Sequence, residues 1–155
     1  MIRVLFVCLG NICRSPMAEA VFLHLVREAN LGGCIEVDSA GTGDWHIGSS
    51  PHKGTLAVLK KNGVPVDSRA RQVRLEDLSE FDFVITMDER NSRDVLELSR
   101  EAPRARVARL LDYVPDSLER NVPDPYFTGD FDGVYQLVWT GCTRLLEEIR
   151  QEFEI

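Results

Sequence analysis

The chain has 155 residues, of which 44% are hydrophobic and 28% charged, and its net charge is −7 at pH 7. This length fits one domain, residues 1–155, with a hydrophobic core, and no apolar run is long enough to cross a membrane. The net negative charge disfavours nucleic-acid binding, and the amino terminus lacks a signal-peptide pattern. We therefore expect a cytoplasmic protein with no nucleic-acid or membrane partner.

The first half of the chain alternates short strand-like runs with longer helical segments. Residues 2–7 are short, apolar and rich in branched side chains, which predicts a buried strand. A helix is expected over 16–29, with Ser15 as its N-cap and Pro16 at its first position. A second strand is expected over 35–40. Ser50 and Pro51 then resemble the cap and start of a second helix, which ends near Lys61, before Asn62-Gly63.

The second half continues this alternation. Residues 83–87 predict a third strand, after which Asp88 caps a helix that runs to about residue 98. A fourth strand is expected over 107–111. A continuous apolar stripe from Phe131 to Ile149 predicts the last helix, in which Trp139 has a structural role. Such alternation predicts an α/β fold: a four-stranded parallel twisted sheet with helices on both faces.

The cysteines favour neither a disulfide framework nor a metal site. Four cysteines are too few and too scattered for such a framework, and no two are spaced as C-x-x-C. The three histidines, His24, His46 and His52, are not spaced as metal ligands. We therefore expect no metal and no cofactor, and a reactive cysteine remains possible.

Residues 8–15, between the first strand and the first helix, carry the pattern of a phosphate-binding loop. In parallel sheets ligands bind at the carboxyl ends of the strands, and a helix start attracts anions. Gly10 and Asn11 tolerate left-handed backbone, and Arg14 can bind two phosphoryl oxygens. Cys8 is the only cysteine with an arginine six residues later, so it is the candidate nucleophile. The alternative is a core cysteine at a strand end.

The segment from Val7 to Pro16 resembles the signature of the low-molecular-weight protein tyrosine phosphatases. Asp124-Pro125-Tyr126 matches the second motif of that family, and segments 38–41, 44–45 and 70–73 are also similar to it. The resemblance covers essentially the whole chain. It implies hydrolysis of phosphotyrosine and other aryl phosphates through a phosphocysteine intermediate. Phosphotyrosine proteins or aryl phosphates are the implied substrates, and phosphate and related oxyanions are expected inhibitors.

The resemblance also assigns roles to individual residues. Cys8 is the nucleophile, Arg14 the phosphate clamp and Asp124 the general acid and base, although the residues alone favour a turn aspartate before proline, which is common. The remaining substrate-binding residues are Leu9, Gly10, Asn11, Ile12, Cys13, Ser15, Trp45, Tyr126 and Phe127.

Three further expectations concern residues around this loop. Cys13 is expected to form a reversible disulfide with Cys8 under oxidation. Ser39 is expected to brace the loop together with Asn11, in a network where Ser68 stands in place of the family's usual histidine. Arg69, Arg71 and Arg74 cluster before an acidic stretch, and we interpret them as surface arginines.

Two other functions use the same loop. Arsenate reduction needs a relay of further cysteines, whereas Cys142 stands alone in the last helix. A catalytically silent phosphate-binding module would lack Cys8, Arg14 or Asp124, and all three are present. Metal-dependent hydrolysis is disfavoured, since no cluster of carboxylates or histidines lies near the loop.

Overall fold

Four parallel strands form the central sheet of the computed structural model, which describes residues 1–155. In the order in which they pair, the strands are β2 Ile35–Gly41, β1 Ile2–Cys8, β3 Phe83–Thr86 and β4 Arg106–Arg109. This sheet confirms the predicted α/β fold. The direction of the connections reverses between β1 and β3, which creates a ligand-binding crevice at the carboxyl ends of these strands.

Six α-helices and one 3-10 helix surround the sheet. They are α1 Arg14–Glu28, α2 Lys53–Lys61, α3 Asp77–Glu80, α4 Glu89–Leu96, α5 Pro125–Thr128 and α6 Phe131–Phe153, with the 3-10 helix at Leu110–Tyr113. The four long helices confirm the predictions. The four-residue helices α3 and α5 were not predicted, because so short a segment shows no helical periodicity. None of the helices combines the length and apolar composition of a membrane span.

The sheet is covered on both faces, as predicted. Alternate side chains of β1 point to opposite faces, so that Val4 and Phe6 join the larger core cluster and Leu5 and Val7 the smaller one. The larger cluster contains residues of α1, α2 and α6, and the smaller one contains residues of α3 and α4. Trp139 packs against the larger cluster, which confirms its structural role.

The predicted N-cap of α1 is wrong. Cys13 occupies the N-cap position and the helix begins at Arg14, two residues before the predicted start at Pro16. The Ser15 hydroxyl lies within the first turn, where it contacts Cys8 Sγ at 3.0 Å and accepts from Asn11 Nδ2 at 2.8 Å. Ser15 is thus committed to the loop rather than to capping.

The predicted cap of α2 is also wrong. His52 caps this helix, because its Nδ1 accepts the Gly54 N–H at 3.0 Å. The Ser50 hydroxyl instead accepts a hydrogen bond from Arg69. The Asp88 cap of α4 is confirmed.

The fourth strand ends earlier than predicted. Leu110 and Leu111 belong to the 3-10 helix, since Asp112 Oδ2 accepts the Arg109 N–H at 2.9 Å and turns the chain there. Leu110 packs closely on Gly141 of α6, where an added Cβ would lie 2.5 Å from Leu110 Cγ. The two leucines are apolar because they fill the core and not because they continue the strand.

Candidate active site

The loop of residues 8–15, called the Cys8 loop below, is fixed by hydrogen bonds that its carbonyl oxygens accept from neighbouring segments. The donors lie just after β2 and at the start of α2. Cys8 and Leu9 accept from the N–H groups of Thr42 and Gly43, both at 2.9 Å; Ile12 accepts from the His52 N–H at 2.7 Å and Cys13 from the Thr55 hydroxyl at 3.1 Å. Because these carbonyls bond outward, the loop lies in a fixed position against the sheet edge.

Asn11 adopts the left-handed conformation predicted for the loop, with φ 57°. Gly10 does not, so that half of the prediction is wrong. Glycine at position 10 leaves room for the His46 ring, since a Cβ there would lie 3.1 Å from it and the ring would have to shift. The turn at Asn11 brings its N–H to within 3.3 Å of Cys8 Sγ.

The Cys8 sulfur lies at the base of the loop, where its side chain is only 3% exposed. Its polar neighbours are the Asn11 N–H at 3.3 Å and the Ser15 hydroxyl at 3.0 Å. The start of α1 directs further partial positive charge toward it. These groups are placed to stabilise negative charge that develops on the sulfur during a reaction.

Arg14 is buried beside Cys8 and is held by two acidic residues. Its Nη1 donates to Asp88 Oδ2 at 2.7 Å and to the Val122 carbonyl at 2.9 Å, while Nη2 lies 3.3 Å from Asp124 Oδ2. Burial alone would lower the pKa of this guanidinium, but Cys8, Asp88 and Asp124 together raise it above its ordinary value. Arg14 Nε is buried without a hydrogen-bond partner in the protein. The residue is therefore a permanent cation with donor capacity left for an anion.

Asp124 lies opposite the loop, at the N-cap of α5. Its Oδ1 accepts the Tyr126 N–H at 3.1 Å, and Pro125 is the first residue of the helix. Proline after an N-cap aspartate is a known helix start, so this sequence signal could have identified α5. The cap fixes the carboxylate at the rim of the site, within reach of Arg14.

A cavity of about 170 Å³ opens above Cys8. Of the residues expected to bind substrate, the structure places all but two in its lining; Asn11 and Ser15 belong to the loop but not to the lining, and each contacts the Cys8 sulfur. Arg14 is also outside the lining. The lining residues are Cys8, Leu9, Gly10, Ile12, Cys13, Trp45, His46, Asp124, Tyr126 and Phe127. The aromatic side chains at the rim are exposed, and Tyr126 and Phe127 pack edge to face at 5.2 Å between ring centroids. An apolar slot of this kind suits a flat ring.

A hydrogen-bond network behind the loop includes Ser39, as expected. Asn11 Nδ2 donates to Ser39 Oγ at 2.9 Å, and Ser39 Oγ donates to Glu19 Oε1 at 2.5 Å. Ser68 also donates to Glu19 Oε1, at 3.0 Å. Ser68 thus joins the network through Glu19 and not through Asn11 or Ser39 directly.

Arg71 is not a simple surface arginine, which corrects the interpretation from sequence. Its guanidinium bonds to Asp38 and to the buried Asp77, and its backbone N–H donates to Asn11 Oδ1 at 3.0 Å. Its neighbours Arg69 and Arg74 are exposed, as expected.

Three residues of the site were missed from the sequence. Asp88 is the second residue after the end of β3, and this position at the carboxyl end of a strand could have identified it as a site residue. His46 follows a predicted rim residue, but an isolated histidine carries little information. Glu19 looks like an ordinary polar position of α1, and only the packing of β2 and residues 65–68 against that helix encloses it.

The other cysteines differ from Cys8. The pKa of the Cys13 thiol is raised to about 12, mainly by burial and to a smaller extent by the nearby Asp124 and Cys8. The thiol is therefore neutral at physiological pH. Cys142 is fully buried in α6, and burial raises its pKa strongly. Cys34 is exposed just before β2, at the amino-terminal end of the parallel strands, whereas the Cys8 loop lies at their carboxyl end. All four thiols are free, and no cluster of three or more His, Cys, Asp or Glu side chains is arranged to hold a metal ion.

Comparison with known proteins agrees with this geometry. The chain is 50% identical to the low molecular weight protein-tyrosine-phosphatase YfkJ of Bacillus subtilis, over the whole of both chains. The crystal structure of YfkJ matches with a TM-score of 0.96, over 98% of this chain and 96% of that one. PtpA of Staphylococcus saprophyticus, another low molecular weight protein-tyrosine-phosphatase, is 40% identical over 96% of this chain and 94% of its own.

A Drosophila protein described as an arginine phosphatase has a similar structure, with a TM-score of 0.89 and 33% identity over 95% of this chain and 97% of its own. Residues 3–154 match the family described as low molecular weight phosphotyrosine protein phosphatase. The chain therefore belongs to the low molecular weight phosphotyrosine protein phosphatase family.

Proposed function

We propose that this protein hydrolyses phosphotyrosine and other aryl phosphate monoesters through a phosphocysteine on Cys8. The observation that carries the proposal is that Cys8 and Asp124 line one apolar cavity, while the buried Arg14 bonds to Asp124 beside it. Each supplies a group that the reaction requires: a thiolate nucleophile, a cationic clamp for the phosphoryl oxygens, and a carboxyl group near the leaving oxygen.

In the first step, the Cys8 thiolate attacks phosphorus and the bond from phosphorus to the aryl oxygen breaks. Protonated Asp124 gives its proton to that oxygen, so that a neutral phenol leaves. The phosphoryl oxygens take hydrogen bonds from Arg14 and from the N–H groups of the Cys8 loop. These bonds strengthen as charge spreads over the oxygens in the transition state.

In the second step, water attacks the phosphorus of phosphocysteine and gives a proton to Asp124. The bond between phosphorus and sulfur breaks, and Cys8 leaves as a thiolate. The Asn11 N–H and the Ser15 hydroxyl, which lie 3.3 and 3.0 Å from Sγ, stabilise that departing charge. The products are inorganic phosphate and the regenerated enzyme.

Substrate choice follows from the aromatic rim. Trp45, Tyr126 and Phe127 line the same cavity as Cys8, so they can contact the phenyl ring of a substrate whose phosphate binds at the loop. We further propose that inorganic phosphate and related oxyanions inhibit by occupying the loop. We also propose that the protein acts in the cytoplasm, without a nucleic-acid or membrane partner.

Cys13 is proposed as the redox partner of Cys8, from the same loop. Its thiol is buried and neutral, so it does not compete as nucleophile. A peroxide would oxidise the Cys8 thiolate to a sulfenic acid and be reduced in the process; Cys13 could then condense with the sulfenic acid, with loss of water, and so prevent irreversible oxidation.

The test is hydrolysis of 4-nitrophenyl phosphate by the purified protein in the presence of a chelator, followed by peptides. We expect turnover without added metal, and faster hydrolysis of a phosphotyrosine peptide than of the matching phosphoserine peptide. Free phosphoarginine serves as a comparison, because one similar structure is described as an arginine phosphatase. No hydrolysis of any aryl phosphate, or a clear preference for phosphoarginine, would contradict the proposal.

Arsenate reduction is less well supported. A reductase needs a second accessible cysteine near the loop to pass on oxidising equivalents. Cys142 is buried in α6, with its sulfur directed at the Ala18 carbonyl. Cys34 lies at the amino-terminal end of the strands, away from the loop. Release of arsenite from arsenate with thioredoxin present would favour the reductase instead.

A further inference from the structure

The segment that ends at Asp124 has no helix or strand of its own. It covers residues 114–124, between the 3-10 helix and α5. Leu118, near its middle, is fully exposed. The Arg120 side chain bonds within the segment, to the carbonyl oxygens of residues 114 and 117 at 2.7 and 3.1 Å. Because regular structure does not hold this segment, the position of Asp124 depends on a few contacts near its end.

Asn121 joins this segment to the carboxyl ends of two strands. Its Oδ1 accepts the Glu89 N–H at 2.9 Å and a hydrogen of Arg109 Nη1 at 3.3 Å. Glu89 is the first residue of α4, which follows β3, and Arg109 is the last residue of β4. Both partners can only donate, so they identify the amide oxygen of Asn121. One oxygen atom therefore ties three parts of the chain together.

This anchor lies next to the groups that hold the cation of the site. The N–H of Val122, the residue after Asn121, donates to a carbonyl just after β3 at 2.9 Å. The Val122 carbonyl accepts from Arg14 Nη1 at 2.9 Å, and the same nitrogen donates to Asp88, the residue before Glu89. The bond from Glu89 to Asn121 thus fixes the separation of two segments that share one arginine.

A stiff backbone connects the anchor to the carboxyl group of Asp124. Pro123 and Pro125 flank this aspartate, and each proline has a fixed φ angle and restricts the residue before it. Few freely rotating bonds remain between residues 121 and 124, so a shift of the anchor also moves the carboxyl group. Asn121 itself is exposed and does not line the cavity, so it acts without contact to the substrate.

We propose that Asn121 is a positioning residue for the general acid, which it holds beside the leaving oxygen of the substrate through its bonds to Glu89 and Arg109. The inference rests on the proposed role of Asp124 in protonating that oxygen. The effect of Asn121 is therefore greatest for substrates whose leaving group most needs a proton.

The test compares kcat/KM for two substrates in Asn121→Leu, which removes the acceptor at similar size. This parameter covers only the steps up to the loss of the phenol. Phenyl phosphate depends on the acid, whereas 4-nitrophenyl phosphate has a leaving group that needs little protonation. We expect kcat/KM to fall roughly tenfold for phenyl phosphate, because a small displacement removes part of the contribution of the acid. For 4-nitrophenyl phosphate it should change by about twofold at most.

Two further variants isolate the acceptor oxygen. Asn121→Asp keeps an acceptor for both donors, and its added charge faces Arg109 and the start of α4, which favour an anion. It should restore most of the rate with phenyl phosphate. The control is Asn62→Leu at the end of α2, where the asparagine also makes one side-chain hydrogen bond, to the Val58 carbonyl. This variant should match the wild type with both substrates.

Amide hydrogen exchange measures the anchor without any substrate. In Asn121→Leu, the peptide that covers residues 114–124 should exchange faster than in the wild type, since the Val122 N–H loses its neighbouring support. Peptides from α6 should exchange as in the wild type. Asn121→Asp should return the exchange of residues 114–124 toward the wild-type rate.

An unchanged ratio of the two kcat/KM values in Asn121→Leu would overturn the inference, whatever the exchange shows. An anchor with a merely structural role would lower both values together. That outcome would leave the phosphatase proposal in place. A wild-type protein that hydrolyses neither substrate would instead refute the phosphatase proposal, and this inference with it.

Discussion

Replacement of Cys8 by serine is expected to abolish the hydrolysis of aryl phosphates. A serine hydroxyl remains protonated at neutral pH, and the hydrogen bonds around position 8 favour an anion without providing a base to generate one. The rate should fall on the order of 10⁴-fold or more, as it does when other enzymes lose their nucleophile. The measurement is kcat for 4-nitrophenyl phosphate in wild type and Cys8→Ser.

The structure provides a matched control for this substitution. Cys34 is exposed at the amino-terminal end of the strands, opposite the Cys8 loop, so Cys34→Ser should keep full activity. Cys8→Ser should also keep its fold and still bind inorganic phosphate, since Arg14 and the loop remain. If Cys8→Ser retained activity within tenfold of the wild type, thiol chemistry at this position would be excluded.

Replacement of Arg14 by lysine is expected to have the second largest effect, a loss of about a thousandfold in kcat. Lysine keeps the positive charge but not the planar arrangement of donors. The guanidinium bonds to Asp88 and Val122 through Nη1 and still has the buried Nε available for a phosphoryl oxygen. A lysine ammonium group cannot bond to Asp88 and Val122 and also to a phosphoryl oxygen in this geometry.

The effect of Arg14→Lys should fall more on kcat than on the affinity for inorganic phosphate. Arginine's two parallel hydrogen bonds match the transition state better than the tetrahedral ground state. Arg69→Lys, at an exposed position beside the same region, is the control and should be close to wild type. Activity of Arg14→Lys close to that of the wild type would show that positive charge alone, and not the Arg14 fork, supports the reaction.

The sequence predicted the parts of the fold that depend on local pattern. The short continuous apolar run of β1 and the long apolar stripe of α6 are properties of their own residues, so both elements were recognised. The boundaries that failed depend on contacts with distant segments. Ser15 did not cap α1, because Asn11 and Cys8 take its hydroxyl, and Leu110 left the strand because Gly141 accommodates it.

The candidate site divides in the same way. Cys8, Arg14 and the loop between them lie in one continuous segment, so their spacing alone was informative. Asp124 was identified through the family motif, as its link to Arg14 spans 110 positions. Glu19 could be placed only by the tertiary structure, since its partner Ser39 lies on a separate strand. Asp88 carried a signal in the sequence, its position just after β3, but its bond to Arg14 joins residues 74 positions apart.

The most direct test of the account is to trap the phosphocysteine in the Asp124→Ala variant. With 4-nitrophenyl phosphate the leaving group needs little protonation, so the first step should proceed, while the loss of the base slows hydrolysis of the intermediate. Acid quenching and mass spectrometry should then find phosphate on Cys8, and none in the double variant Cys8→Ser/Asp124→Ala. Phosphate on another residue, or turnover by Asp124→Ala at the wild-type rate with no bound phosphate, would contradict the proposed mechanism.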